Sequence, residues 1–136
     1  MTNILVTGGC GFIGSNFIKY ILANNLGRVI NIDKLTYAGK GRNIEYMGLA
    51  GDKNYTFYPG DICDKGFLHK VFSKEKPDIV FNFAAESHVD RSIKDSGDFV
   101  NTNIVGVLAL LDVSKEHNIK KFIQISTDEV YGSLEQ

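Results

Sequence analysis

Glycine occupies every third position of Gly8-Gly9-Cys10-Gly11-Phe12-Ile13-Gly14, between an apolar run, Ile4–Val6, and a segment with Ile13, Phe17, Tyr20 and Ile21 at i, i+4, i+7 and i+8. This order predicts a strand, a tight turn and an amphipathic helix whose apolar stripe lies on a sheet. In that setting Gly8 permits the turn and Gly11 lets the backbone approach a pyrophosphate. Gly14 lets helix and strand pack closely, and the phosphates meet the positive helix N-terminus. The alternative is a glycine-rich turn with no ligand.

Further β-branched or aromatic runs recur at Val29–Ile32, Tyr55–Tyr58, Ile79–Phe83 and Phe122–Ile125, and longer helix-patterned segments separate most of them. Runs that are apolar without strict alternation suit strands covered on both faces. The expectation is an α/β fold, a Rossmann-type doubly wound parallel sheet of order 3-2-1-4-5, truncated after about five strands. The 136 residues suit a single domain. A helix around residues 98–116 presents Val100, Ile104, Val107, Leu108 and Leu111 on one face, with Phe99, Ala109, Leu110 and Val113 on another. A sheet covers only one of these faces, so the other calls for a partner subunit or further chain. Lys34 to Gly48 reads as a loop leading into a short helix.

Composition narrows the function classes. A net charge of -1 gives no bulk attraction to nucleic acid, and no uncharged apolar run approaches the roughly 20 residues that span a bilayer. The first residues lack the basic region and cleavage site of a signal peptide, so the expected location is cytoplasmic. Cys10 and Cys63 have neither zinc-site nor disulfide spacing and read as small buried hydrophobes; no metal site is expected. His69 and His117 fall on helix surfaces and are expected in solvent.

Polar residues gather where the strands end. Asp33 follows the glycine motif at about the 20-residue interval of an acid that bonds an adenosine ribose 2′-OH, which favours NAD over NADP. Lys34 beside it would partly offset repulsion of a 2′-phosphate; alternatively Asp33 caps the next turn. In Gly60-Asp61-Ile62 the acid can reach an adenine amino group while the isoleucine covers the ring. Asp61 is equally a candidate N-cap, and Asp64 competes for that role. After the fourth run come Phe83-Ala84-Ala85-Glu86-Ser87-His88-Val89-Asp90-Arg91-Ser92. The small residues leave room for a cofactor and Ser87 is the best candidate for touching ligand. Glu86, Asp90 and Arg91 are open between an ion-pair network and substrate contact, and His88 between structure and function. Past the fifth run, Thr127 precedes Asp128 and Glu129, two adjacent acids that surroundings can tune apart into a proton donor and a base.

Taken together, the glycine motif, Asp33-Lys34-Leu35-Thr36-Tyr37-Ala38-Gly39, Ala84 to Ser92 and Ser126-Thr127-Asp128-Glu129-Val130-Tyr131-Gly132 resemble the dTDP-glucose 4,6-dehydratase family of extended short-chain dehydrogenase/reductases. The Asp-Glu pair is what related epimerases and decarboxylases lack. The resemblance implies an NAD-dependent lyase acting on dTDP-glucose: hydride leaves C4, water leaves from C5 and C6, and hydride returns to C6. By the same resemblance Glu129 takes the C5 proton, Asp128 protonates the departing hydroxyl and Thr127 holds the sugar. It implies that NAD is lined by Gly8, Gly11, Phe12, Ile13, Gly14, Asp33, Lys34, Leu35, Thr36, Asp61, Ile62, Phe83, Ala84, Ala85, Glu86, Ser87 and Thr102. Ser87 also touches substrate, and the full-length enzyme is a homodimer. Cys10 departs from the usual alanine.

The family's first oxidation uses a Tyr-x-x-x-Lys pair, and none of the six tyrosines here has a lysine four residues later. The expectation is therefore residues 1–136 as an NAD-binding N-terminal portion, inactive alone, without the nucleotide-sugar-binding domain. A freestanding NAD-binding module and another nucleotide-sugar epimerase or dehydratase are the alternatives.

Overall fold

Asn3–Thr7 forms the central strand, β1, of a five-stranded sheet completed by β2 (Arg28–Asp33), β3 (Tyr55–Pro59), β4 (Ile79–Asn82) and β5 (Lys121–Gln124). The computed structural model describes residues 1–36, 48–49, 51–87 and 96–132, with the backbone alone at 128 and 129. Every pairing is parallel and the order is β3-β2-β1-β4-β5, as the alternation of elements predicts. The last two strands end one residue earlier than expected, at Asn82 and Gln124. The expected loop and short helix from Lys34 to Gly48 fall mostly outside the described residues.

Alternating side chains send β1 into two cores. Leu5, with Ile30, Ile32 and Val80, packs under α2 (Lys65–Glu75) and α4 (Val107–Glu116) through Leu68, Phe72, Leu110 and Val113. Ile4 and Val6, with Val29, meet Ile18 and Ile21 of α1 (Phe12–Ala23) on the opposite face. Each such fully buried aliphatic chain contributes about 1.5–3 kcal/mol.

The buried arc of α1 differs from the expected stripe. Gly14, Ser15, Ile18 and Ile21 are buried, whereas Ile13 and Tyr20 are 63% and 59% exposed. Gly14 is pressed against the Gly8 carbonyl, and this rotates the helix. Ser15 tolerates burial because its hydroxyl donates to Phe12 O at 3.0 Å.

Asp64 caps α2, accepting from the Phe67 amide at 2.9 Å, so Asp61 is not the N-cap. The expected helix over 98–116 is divided into α3 (Ser96–Val100), a π-helical segment (Asn101–Gly106) and α4. Gly106 admits close approach to Ile62, where a Cβ would stand 2.7 Å from the isoleucine side chain. The Asn101 carbonyl takes the Cys63 thiol at 3.3 Å. Such π turns recur at functional sites. Ala109, Leu110 and Val113 face the core; Val100, Ile104, Leu108 and Leu111 remain exposed in this single chain.

Two expectations for single residues need correction. Cys10 is fully buried, but Cys63 is only half-buried and hydrogen-bonded. His69 and His117 are only partly exposed, because their rings face one another, with Nδ1 of His69 3.2 Å from Nε2 of His117. Packing of α2 on α4 brings them together, which spacing along the chain does not reveal. Among the described residues no helix is long and apolar enough to cross a membrane.

Candidate functional site

The strand order reverses between β1 and β4, and the loops leaving their C-terminal ends bound a crevice of about 100 Å³. Such switch points are where open α/β sheets bind ligands. Gly8 has φ +67, donates to Ile32 O at 2.9 Å, and would place a Cβ only 2.6 Å from the Ala84 amide nitrogen. No L-side chain fits there, so the two loops approach backbone to backbone. Gly11 is the N-cap of α1 and supplies no side-chain cap. The first-turn amides, which have no partner within a helix, are therefore suited to an anionic ligand. Gly9 has a role not foreseen from the sequence: its α-carbon lies against Asn31 on β2, leaving no room for a Cβ.

Asp33 is buried beneath this loop. Its Oδ2 accepts from the Cys10 amide and its Oδ1 from the Leu35 amide, both at 2.8 Å. The turn-capping role is thus observed, and the same carboxylate straps the glycine loop to the end of β2 while lining the crevice. Burial first, and the charge of Asp33 second, push the Cys10 thiol up to about 12, leaving it protonated.

Lys34 and Asp61 close a side of the crevice through an ion pair of 2.7 Å. Burial works to raise the Asp61 pKa, but the Cys63 amide and Lys34 outweigh it and hold the carboxyl below its ordinary value. Lys34 is correspondingly raised, chiefly by its hydrogen bond to Asp61. Thr36, Ile62, Phe83, Ala84, Ala85, Glu86 and Thr102 complete the lining, joined by Ile32 and Gly60, which sequence reasoning did not single out as ligand-facing. Gly60 is legible in hindsight as a glycine at a strand end; a Cβ there would strike the Phe67 ring at 2.3 Å.

Asn103 was also missed. From the π-helical segment its side-chain carbonyl accepts from the Glu86 amide and its amide donates to the Glu86 carbonyl, each at 2.9 Å. This two-point clasp fixes the β4 loop opposite the glycine turn and sets neighbouring Thr102 in the crevice.

Other expected contacts stand apart. Phe12 and Ile13 are 83% and 63% exposed, Ser87 is exposed, and Gly14 is buried beneath the loop. None of these four, nor Leu35, lines the crevice. His88, Asp90 and Arg91 lie outside the described residues. Thr127 is exposed just past β5, and Asp128 and Glu129 begin a 3-10 turn, Asp128–Tyr131.

A side-chain ladder runs from β1, beside the glycine turn, across β4 to β5. Thr7, Asn82 and Gln124 are register partners across β1, β4 and β5. The Thr7 hydroxyl donates to the Asn82 side-chain carbonyl, the Asn82 amide donates to Gln124 at 2.8 Å, and the Gln124 amide donates to Ile125 O at 3.1 Å. Thr7 and Asn82 are fully buried, so each depends on its neighbour for hydrogen bonding. Polar residues inside apolar strands were the available signal.

Comparisons with known proteins agree with this architecture. A family model described as GDP-mannose 4,6 dehydratase matches residues 5–136. A dTDP-glucose 4,6-dehydratase of Neisseria meningitidis is 48% identical over 144 residues, covering 98% of this chain and 40% of the relative. A dTDP-glucose 4,6-dehydratase of Streptomyces venezuelae, solved with NAD bound, superposes with a TM-score of 0.89 at 40% identity, over 99% of this chain and 42% of that one. The UDP-glucose 4-epimerase of Thermotoga maritima, solved with UDP-glucose, gives 0.84 at 38% identity, over 99% and 41%. The chain thus spans about two-fifths of the length of the proteins it matches.

Proposed function

The chain belongs to the GDP-mannose 4,6 dehydratase family, and on that footing we propose that it carries the NAD-binding crevice and the acid pair of a nucleotide-sugar 4,6-dehydratase acting on dTDP-glucose. The observation that carries this reading is the convergence of Gly8, Asp33 and the Ala84–Ala85 backbone on one crevice. Its β1–β4 wall is so close that a Cβ at Gly8 would fill the approach. These features fit a dinucleotide. The α1 amides would hold its pyrophosphate, Asp33 an adenosine ribose hydroxyl, and Ile62 and Asp61 the adenine, with Ala84, Ala85 and Thr102 toward the nicotinamide side. Because Lys34 is committed to Asp61, it does little to offset the charge of Asp33, which favours a ribose hydroxyl over a 2′-phosphate.

When bound, NAD supplies a reversible hydride acceptor, so that the sugar can pass through the ketone level at C4. The residues of this chain then serve the elimination. Glu129 takes the C5 proton, acidified by the neighbouring carbonyl; Asp128 gives a proton to the departing C6 hydroxyl; Thr127 and Ser87 hold the sugar. The Asp-Glu pair favours dehydration over the epimerisation named for the Thermotoga maritima protein, since the shared fold does not choose between them. The reading further makes this an N-terminal, NAD-binding portion of a cytoplasmic homodimer in deoxysugar biosynthesis, the uncovered face of Val100, Ile104, Leu108 and Leu111 meeting its partner. The proton acceptor for the first oxidation and the nucleotide-sugar-binding domain come from the stretch of the relatives that this chain does not span.

Titration of the 136-residue chain with NAD⁺, and a second arm with dTDP-glucose added, tests the proposal. Saturable NAD⁺ binding without release of the 4-keto-6-deoxy product is expected. Failure to bind NAD⁺ removes the cofactor assignment, and multiple turnover by the chain alone removes the assignment as an incomplete catalyst.

A further inference from the structure

Two imidazoles separated by 48 positions meet where α2 packs against the end of α4. Their facing nitrogens, Nδ1 of His69 and Nε2 of His117, are 3.2 Å apart. The other nitrogen of His69, Nε2, lies 3.4 Å from a carboxylate oxygen of Glu116. His117 is the C-cap of α4, its amide bonded to Val113 O, and its ring packs 5.5 Å from that of fully buried Phe72. The site is open to solvent, with the His69 side chain 40% exposed. None of these groups lines the crevice.

We propose that His69 and His117 form a binding site for a divalent transition-metal cation of the zinc class, ligated through His69 Nδ1 and His117 Nε2 and completed by water. The separation is the first argument. Two imidazole nitrogens each about 2.0–2.1 Å from one tetrahedral ion stand about 3.3–3.4 Å apart, close to the distance already present. Glu116 is the second. A proton on His69 Nε2 facing this carboxylate leaves Nδ1 with its lone pair toward His117, the ligating form, and a carboxylate behind a ligating histidine orients the ring and raises its basicity. Without metal, His117 Nε2–H can donate to His69 Nδ1; metal binding moves that proton to His117 Nδ1 and replaces the hydrogen bond with two coordinate bonds. Imidazole donors select zinc, nickel and copper over magnesium or calcium.

Among the described residues no group of three or more histidine, cysteine or acidic side chains could hold a metal, so this is a two-nitrogen site. It would clasp α2 to α4, elements joined otherwise by the apolar contacts of Leu68, Phe72, Leu110 and Val113 and by the Lys65–Asp112 ion pair.

Isothermal titration of the 136-residue chain with Zn²⁺ tests the site, and the His69→Ala/His117→Gln double variant, which keeps His88 and both cysteines, sets the background. Saturable one-to-one binding is expected, weakened at least tenfold by His69→Ala and by His117→Gln separately. Glu116→Gln should weaken it by about tenfold, the lower end of the range for outer partners of metal ligands. Saturating Zn²⁺ should raise the melting temperature of the unaltered chain and leave that of the double variant unchanged. Binding no stronger than the double variant's, or equally strong in His69→Ala with its fold verified by circular dichroism, would overturn the proposal. Neither result depends on whether the crevice takes NAD.

Discussion

Lys34 reaches across to Asp61, Nζ to Oδ2 at 2.7 Å, although Asp33 is its neighbour in sequence. A cation beside the proposed ribose site is thereby engaged by a second acid, and the local field around Asp33 stays negative. Substituting Asp61→Asn should release Lys34 and reduce discrimination against NADP⁺ by about tenfold, or ~1.4 kcal/mol. Parallel titrations with NAD⁺ and NADP⁺ read the ratio; an unchanged ratio would show that Lys34 has no part in cofactor choice.

Gly8→Ala should destabilise the chain by about 1–3 kcal/mol, because alanine is strained at positive φ and its Cβ would meet the Ala84 backbone. Denaturant unfolding measures the loss. NAD⁺ affinity should fall with it, since the β1 and β4 loops would be forced apart.

Asn103→Ala removes the two-point clasp, taking the Asn103 side chain away from the Glu86 amide and carbonyl. About 1–3 kcal/mol is the expected upper range for such groups, with less where water replaces the side chain. Hydrogen exchange at the Glu86 amide should accelerate more than exchange at core amides of β1, a contrast that uniform destabilisation would not produce.

Gln124→Leu removes the acceptor of the Asn82 amide, at a cost of up to about 1–3 kcal/mol and less where water replaces the side chain. Exchange at Ile125, whose amide donates to Asn82 O, should rise above that at Val80. Equal changes at both sites would count against a local role for the ladder.

The pH dependence of stability should carry a contribution from Glu75. Burial opposes its ionisation, but the Tyr58 hydroxyl and Arg28 outweigh that cost and hold its pKa below the ordinary 4.5. A depressed carboxylate stabilises the fold above its unfolded pKa, and that contribution is lost as pH falls through the folded value. Glu75→Gln should therefore be less stable at neutral pH and show a shallower loss of stability below about pH 4.5. Urea midpoints across pH 3 to 7, run with about equal spacing, provide the comparison.

What was legible in the sequence was carried by periodicity and by glycine. The runs around Leu5, Ile30, Phe57, Val80 and Ile123 specify the sheet because strands buried on both faces cannot be polar for long. Gly8 discloses its turn because few other residues suit its positive φ and the close approach of the Ala84 backbone. Local pattern was less informative about rotation and division: the buried arc of α1 was set by Gly14 against the Gly8 carbonyl, and the π-helical turn by contacts with Glu86, Ile62 and Cys63. Asp61 and Asp64 were indistinguishable as caps until the Phe67 amide chose Asp64. Asn103 and the facing histidines were invisible for the same reason, since their partners are distant in sequence and no spacing rule joins them.

The Thr7–Asn82–Gln124 ladder also works as a registration mark. Slipping β5 by one residue would turn Gln124 to the opposite face and carry Thr127 along the strand by about 3.3 Å. Inserting or deleting a residue within β4 or β5 would break the same match, whereas a substitution that preserves one donor and one acceptor would not. Variation near this edge should therefore come as exchange of side chains at constant length, with changes in length confined to the connections between strands.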